Sequence, residues 1–119
     1  MTHQHGKQKL NLRSSHRMAL LRNQTIHLIT YGCLVTTKAR VKEVQRFAEK
    51  LVTIARKGNE FNARRAALAI LPYKAEALKK LFTEIAPRYV DRPGGYTRTI
   101  PMGRRTSDTA IIARLEWVV

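Results

Sequence analysis

The chain has 119 residues, of which 23 are Lys or Arg and 8 are Asp or Glu, giving a formal net charge of +15 at pH 7. Its apolar share of 44% argues against a wholly disordered chain, and its length suits one compact domain with a tail. A single cysteine, Cys33, cannot form an internal disulfide, and no run is apolar enough for a membrane span or a signal peptide. We therefore expect a cytoplasmic protein whose partner is anionic, most simply a nucleic acid, with no membrane partner.

The opening of the chain is basic and cannot form a core. The first 42 residues contain eight Lys and Arg and no acidic residue, and residues 1–13 are polar without an apolar period. We predict that 1–13 forms an extended basic arm that binds RNA, in which Lys7, Lys9 and Arg13 contact phosphates and Asn11 contacts sugars or base edges. The alternative is a solvated, disordered tail. Residues 14–119 are predicted to form a single compact domain.

A helix and a short strand are predicted directly after the arm. Ser14 or Ser15 is a good N-cap, because a short hydroxyl accepts a hydrogen bond from a first-turn N–H. Apolar residues then recur at three- and four-residue spacing until Gly32 ends the helix. Residues 33–36 are β-prone and predict the strand.

Three more helices are predicted in the middle of the chain. Each has an apolar stripe of helical period between a capping residue and a helix breaker. Their predicted limits are Thr36 or Thr37 to Gly58, Asn59 or Asn62 to Pro72, and Lys74 to Ile85 with Pro87 marking the end.

The C-terminal part of the chain predicts two strands, over 96–100 and 109–118, joined by a basic, turn-rich connection over 101–108. Alternate residues of the second strand are apolar and share one face: Ile111, Ala113, Leu115 and Trp117. The predicted fold is α+β: a two-layer α/β domain in the order helix, strand, three helices, two strands. Helices cover a small mixed sheet.

Two further segments predict contacts with phosphate. Ser14, Ser15, His16 and Arg17 stand at the start of the first helix, where free N–H groups and a partial positive charge favour an anion, and Arg22 follows one turn later. Ordinary N-capping by serine is compatible with this role.

The second segment begins with Gly94 and Gly95, which let the backbone approach a phosphate closely. Tyr96 could stack on a base or pack in the core, and the sequence does not choose between these alternatives. Several arginines add positive charge around this loop: Arg92, Arg98, Arg104 and Arg105.

Metal binding and catalysis have little support in the sequence. The four histidines are accompanied by one cysteine and include no pair at i and i+4, so a zinc site is not expected. The sequence shows no nucleophile with its base, no paired acids for metal-dependent chemistry and no phosphate-binding P-loop. We therefore predict that the chain is not an enzyme and has no cofactor and no small-molecule substrate.

Taken in order, several separated motifs resemble the bacterial large-subunit ribosomal protein L17 family. They lie at 9–11, 14–23, 36–42, 51–56, 62–65 and 94–98, so the resemblance covers nearly the whole chain. The family usually has more arginine near its N-terminus, where this chain has Thr2, Gln4 and Leu12. Val41 replaces a common alanine, and Ala39 stands where a proline is often found.

The resemblance implies a structural protein of the ribosome that binds large-subunit ribosomal RNA and touches neighbouring large-subunit ribosomal proteins. Within its motifs, the polar and basic residues Asn23, Lys38, Arg40, Lys42 and Arg64 join the candidates. The complete candidate RNA-binding set is Lys7, Lys9, Asn11, Arg13, Ser14, Ser15, His16, Arg17, Arg22, Asn23, Lys38, Arg40, Lys42, Arg64, Arg92, Gly94, Gly95, Tyr96, Arg98, Arg104 and Arg105. The alternative functions are a free-standing DNA- or RNA-binding regulator and a small RNA-processing enzyme.

Overall fold

The computed structural model describes residues 12–58, 61–72 and 75–118. The arm proposed for 1–13 therefore lies almost entirely outside the described residues. The elements follow the order predicted from the sequence: α1 (Ser14–Tyr31), β1 (Cys33–Thr37), α2 (Lys38–Ala55), α3 (Phe61–Ile70), α4 (Ala75–Lys80), β2 (Thr97–Arg104) and β3 (Ile111–Trp117).

Helix α1 begins one residue earlier than a Ser14 cap predicts and two residues earlier than a Ser15 cap predicts. The N-cap is Arg13, whose extended backbone has φ −59° and ψ 151° and whose carbonyl accepts a hydrogen bond from the Arg17 N–H at 2.8 Å. Ser14 is already helical, so the prediction of a serine cap was wrong. The helix ends as predicted at Gly32, which adopts the left-handed conformation (φ 84°) and donates its N–H to the Leu28 carbonyl at 2.9 Å.

Helix α2 matches its predicted position, whereas α3 already contains Asn62, one of its two predicted caps, and the other, Asn59, lies outside the described residues. Thr37 is the N-cap of α2, as one of the two predicted alternatives, and α3 ends two residues before Pro72. The contact side of α3 is formed by small residues, because Ala63 and Ala67 are buried. These alanines allow α3 to approach α2 closely.

Helix α4 continues in a form that the sequence did not predict. After Ala75–Lys80 the chain forms a π-helical turn over Leu81–Ile85 and a 3-10 turn over Ala86–Tyr89. The prediction that Pro87 marks the end of the helical segment was therefore wrong, because the 3-10 turn continues to Tyr89. Pro87 lies in the first turn of the 3-10 segment, where the missing N–H of proline costs no hydrogen bond.

Within the described part of the chain, the sheet has three strands in the order β1-β3-β2, and both pairs are antiparallel. The predicted mixed sheet is thus corrected. Strands β2 and β3 are joined by a short connection and pair as a hairpin, while β1 enters on the other side of β3 and also runs opposite to it. β2 reaches Arg104, beyond its predicted end, because an irregularity between Pro101 and Gly103 lets the ladder continue past the proline.

One layer of helices covers one face of this sheet, which confirms the α+β, two-layer fold. Ala113, Leu115 and Trp117 of β3 are buried as predicted, whereas Ile111 is 46% exposed. The indole Nε1–H of Trp117 donates to the carbonyl of Leu28 at 3.2 Å and joins the centre of the sheet to α1. The sheet and helices together hold the elements that carry the candidate basic residues.

Candidate nucleic-acid interface

The start of α1 presents polar and basic groups to solvent. Arg13, Ser14, Ser15 and His16 are exposed, and Arg17 is half-buried. Within the described residues this helix has no acidic residue in its first turn and no side-chain cap. No carboxylate of that turn neutralises the free N–H groups and the partial positive charge at the N-terminus of α1. This arrangement favours the binding of an anion. Three arm candidates, Lys7, Lys9 and Asn11, lie outside the described residues.

Further along α1, the two remaining candidates differ. Asn23 is exposed on the helix surface. Arg22 is half-buried, and its Nε–H donates to the carbonyl of Ile70 at 2.9 Å, close to the end of α3. Arg22 therefore has a packing role that its basic character did not reveal, because the sequence alone could not place α1 beside the end of α3.

The start of α2 forms a basic groove. Lys38 and Lys42 are exposed one helical turn apart, and both line a groove of about 430 Å³ together with Ala110 and Ile111. Arg40 is half-buried on the same turn. Like α1, this helix has no acidic residue in its first turn, as far as the described residues go. Two lysines and a helix N-terminus therefore lie on one side of the molecule.

The tip of the β2–β3 hairpin adjoins this groove. Arg104 is the direct cross-strand partner of Ile111, which lines the groove, so the hairpin and the start of α2 are neighbours. Arg104 and Arg105 are both exposed. We call Lys38, Lys42, Arg104 and Arg105 the hairpin-end cations. The fold thus unites residues that are more than 60 positions apart in sequence.

An ion pair shapes the turn of the hairpin. Arg105 donates to the Asp108 carboxylate through Nε at 3.0 Å and through Nη2 at 2.7 Å. These bonds, and the hydrogen bond that the Ala110 N–H donates to the same carboxylate, lower the pKa of Asp108 to about 2. The same pairing raises the pKa of Arg105. Both groups therefore stay charged throughout the physiological range, and the turn keeps its form.

The glycine loop before β2 has a defined backbone but no available aromatic face. Gly94 and Gly95 have φ values of 146° and 66°, which L side chains rarely adopt, and Arg92 beside them is exposed. Tyr96 is only 1% exposed, so the core-packing alternative is correct for its ring in this structure. Its hydroxyl accepts a hydrogen bond from Nη1 of Arg56 at 3.3 Å.

Arg56 was not among the sequence candidates. Its second nitrogen, Nη2, donates to the carbonyl of Val90 at 2.8 Å, so this residue at the end of α2 holds both sides of the glycine loop. The sequence showed only a basic residue near a helix terminus, and no local pattern linked it to a tyrosine 40 positions away.

The arginines that the sequence grouped around the glycine loop are divided between two ends of the molecule. Arg98 lies at the start of β2, paired with Glu116 at 3.4 Å, while Arg104 closes the same strand. The two residues are six positions apart along the strand, which corresponds to roughly 20 Å. We therefore distinguish the glycine-loop end, with Arg92 and Arg98, from the hairpin-end cations.

The remaining candidate, Arg64, is exposed on α3 and lines a separate groove of about 310 Å³ beside α4. Two exposed cations of α2 that the sequence did not select, Arg46 and Lys50, line another groove between α1 and α3. Their i, i+4 spacing was visible in the sequence but is common on any solvent-facing helix.

Across the described residues, no group of three or more His, Cys, Asp or Glu could hold a metal ion. None of the described helices is long and apolar enough to cross a membrane.

Comparison with known proteins decides the family. The model of the family described as "Ribosomal protein L17" matches residues 20–118. The chain belongs to the ribosomal protein L17 family.

Curated relatives extend the L17 likeness to almost the whole chain. "Large ribosomal subunit protein bL17" of Campylobacter lari is 50% identical over 118 residues, which cover 99% of both chains. The protein of the same name from Sulfurimonas denitrificans is 49% identical, and that from Sulfurovum sp. is 47% identical, each over 99% of this chain and the whole of the relative.

L17 membership confirms the resemblance stated from the motifs. It also confirms the prediction that the chain is not an enzyme, since ribosomal protein L17 is a structural component. The departures noted at Thr2 and Gln4 lie outside the described residues, and both positions also precede the segment that the L17 family model matches.

Proposed function

We propose that this chain is a structural constituent of the bacterial large ribosomal subunit and that it binds large-subunit ribosomal RNA. The observation that carries the proposal is its membership in the L17 family, whose relatives are named as large ribosomal subunit proteins. The net charge of +15 supplies the physical basis, because RNA is the most abundant polyanion that such a surface could meet in a ribosome.

In this proposal, three separate parts of the chain contact phosphates. They are the arm with the start of α1, the hairpin-end cations, and the glycine-loop end. Lys7, Lys9 and Arg13 supply the arm's charge, and Gly94 and Gly95 allow close approach of backbone to RNA. Tyr96 contributes by fixing the loop from within the core and not by stacking.

A dispersed arrangement of cations favours a folded RNA with an irregular surface. The hairpin-end cations and Arg98 lie at opposite ends of the sheet. They therefore do not form a single recognition element of the kind that enters one groove of a straight duplex. This supports a ribosomal RNA partner over the rival function, a free DNA- or RNA-binding regulator. Neighbouring large-subunit proteins and a cytoplasmic location within the ribosome follow from the same proposal.

The test is co-sedimentation of a tagged full-length chain with large subunits, in cells from which the resident L17 protein has been depleted. We expect the tag in the large-subunit fraction and in intact ribosomes at low and moderate salt. A tag that stays at the top of the gradient would overturn the proposal. Equal affinity for duplex DNA and for large-subunit ribosomal RNA fragments would instead favour the regulator.

A further inference from the structure

A groove between α1, α2 and α3 is lined by apolar and cationic side chains. Its volume is about 370 Å³, which is within the range of small-ligand sites. The apolar part rests on the core, because Leu21 is buried and Phe47 and Ile70 are partly buried against it. Arg46 and Lys50 are exposed at its side. The groove therefore combines an apolar floor with positive charge at its opening.

The groove also has a polar group with a defined position. Glu43 lines it, with a side chain only 8% exposed, and its Oε1 accepts a hydrogen bond from Nη1 of Arg46 at 3.4 Å. This pair presents acceptor and donor groups beside apolar surface. Such a combination matches the edge of a nucleobase, which carries donors and acceptors around a flat apolar face.

We propose that this groove receives an unstacked nucleobase of single-stranded RNA, with the flanking phosphates against Arg17, Arg46 and Lys50. The base would lie against Phe47 on the apolar floor, with its polar edge toward the pair formed by Glu43 and Arg46. This inference rests on the proposed function, since it names how one part of the chain holds RNA.

Charge distinguishes this occupant from the others. The chain's own N-terminal segment is basic and acid-free, so the cations of the groove repel it, and a second copy of a chain with a net charge of +15 is repelled in the same way. An acidic peptide would satisfy the cations but would bring its carboxylates toward Glu43. A nucleotide places its negative charge on the phosphates, at the opening, and brings an uncharged base toward Glu43.

The experiment compares two labelled RNA octamers that have the same phosphates, one carrying bases and one abasic, in binding to the full-length chain. We expect the base-bearing RNA to bind about tenfold more tightly, because base stacking on a protein surface contributes an effect of this order. In the methyl NMR spectrum of the unaltered chain, Met18, Leu21 and Ile70 should shift with the base-bearing RNA and much less with the abasic one. Equal binding of the two RNAs would overturn the proposal.

A matched pair of variants on α3 tests the location. Ala69→Trp fills the groove and should abolish the preference for bases, whereas Ala66→Trp places the same ring on the same helix at an exposed position that does not line the groove. The preference should persist in Ala66→Trp, and equal behaviour of the two variants would overturn the proposal. Thermal unfolding of both variants checks that they are folded.

Two further outcomes separate this inference from the proposed function. If the chain binds large-subunit ribosomal RNA fragments but does not distinguish the octamers, the proposed function stands and the nucleobase site is wrong. If the chain binds no RNA, both proposals are wrong. If an acidic amphipathic peptide shifts the groove methyl signals and the octamers do not, the groove is a protein-docking surface and the nucleobase proposal is wrong.

Discussion

Glu49 of α2 accepts two hydrogen bonds from Thr97, the first residue of β2: one from the hydroxyl at 2.7 Å and one from the backbone N–H at 3.3 Å. Thr97 is only 6% exposed, so these bonds are sheltered from water. They fix the point at which the glycine loop ends and the strand begins. The two bonds join α2 to the start of the hairpin across 48 residues of sequence.

Removing the hydroxyl of Thr97 should weaken its contact with Glu49 without changing the size of the side chain. We expect Thr97→Val to lower the free energy of unfolding by about 1–2 kcal/mol, because a sheltered carboxylate loses a hydrogen-bond donor. Thr99→Val, on the same strand, is the control and should change stability by less. Urea denaturation followed by circular dichroism measures both, and equal effects would contradict the role assigned to Glu49.

The hydroxyl of Tyr96 should contribute to stability through Arg56. Tyr96→Phe keeps the buried ring and removes the acceptor at 3.3 Å from Nη1 of Arg56, so we expect a loss of about 1 kcal/mol in the free energy of unfolding. Tyr31→Phe, at a residue that is 70% exposed, should change little. Unchanged stability in Tyr96→Phe would show that Arg56 does not hold the loop through this bond.

The hairpin-end lysines should contribute directly to the salt dependence of RNA binding. Replacing both Lys38 and Lys42 with Gln should reduce the slope of log affinity against log salt by about two, since each phosphate contact contributes about one unit. The matched control replaces Lys57, in the turn after α2, and Lys79 of α4, both of which are exposed. It removes the same charge, and filter binding over a salt series should show a smaller change in slope.

The arm should act on binding and not on folding. Deleting residues 1–12 removes Lys7 and Lys9 but keeps Arg13, whose carbonyl accepts the first hydrogen bond of α1. We expect the slope of log affinity against log salt to become flatter by about two units. The helical signal in far-ultraviolet circular dichroism should stay unchanged. A loss of helical signal would mean that the arm belongs to the core, and the boundary predicted between 1–13 and 14–119 would then be wrong.

The turn of the hairpin should respond to acid only at very low pH. Because its pKa is lowered to about 2 in the folded chain, Asp108 contributes stability that is present above its ordinary pKa of 3.8 and is lost as pH falls through about 2. Carboxyl carbon shifts measured against pH by NMR should show this midpoint. In Arg105→Ala the pKa of Asp108 should rise toward its ordinary value, and an unchanged midpoint would exclude Arg105 as the main cause.

Local patterns in the sequence were sufficient to predict the elements but not their partners. The helical periods and breakers gave α1, α2 and α3 closely, and the alternation in β3 correctly identified Ala113, Leu115 and Trp117 as buried. The N-cap at Arg13 and the turn through Pro87 were missed, since both depend on backbone conformations that several residue types adopt.

The candidate site was predictable as a set of charges and not as a surface. Sequence proximity placed Arg98 beside Arg104, whereas an extended strand separates them and brings Arg104 next to the start of α2. The role of Arg22 was hidden for the same reason, because its acceptor at Ile70 is 48 residues away. Only the tertiary structure supplies such distances.

The central position of β3 has a consequence for the order of folding. Both other strands pair with β3, and its register joins Cys33 to Glu116, so the complete sheet cannot form until Glu116 has left the ribosome during synthesis. Helices α1 to α3 emerge first and can pack on one another, but they lack the sheet that completes the core. During synthesis, a basic segment is therefore exposed to RNA before a finished domain exists, and neutralisation of its charge by RNA can precede closure of the core.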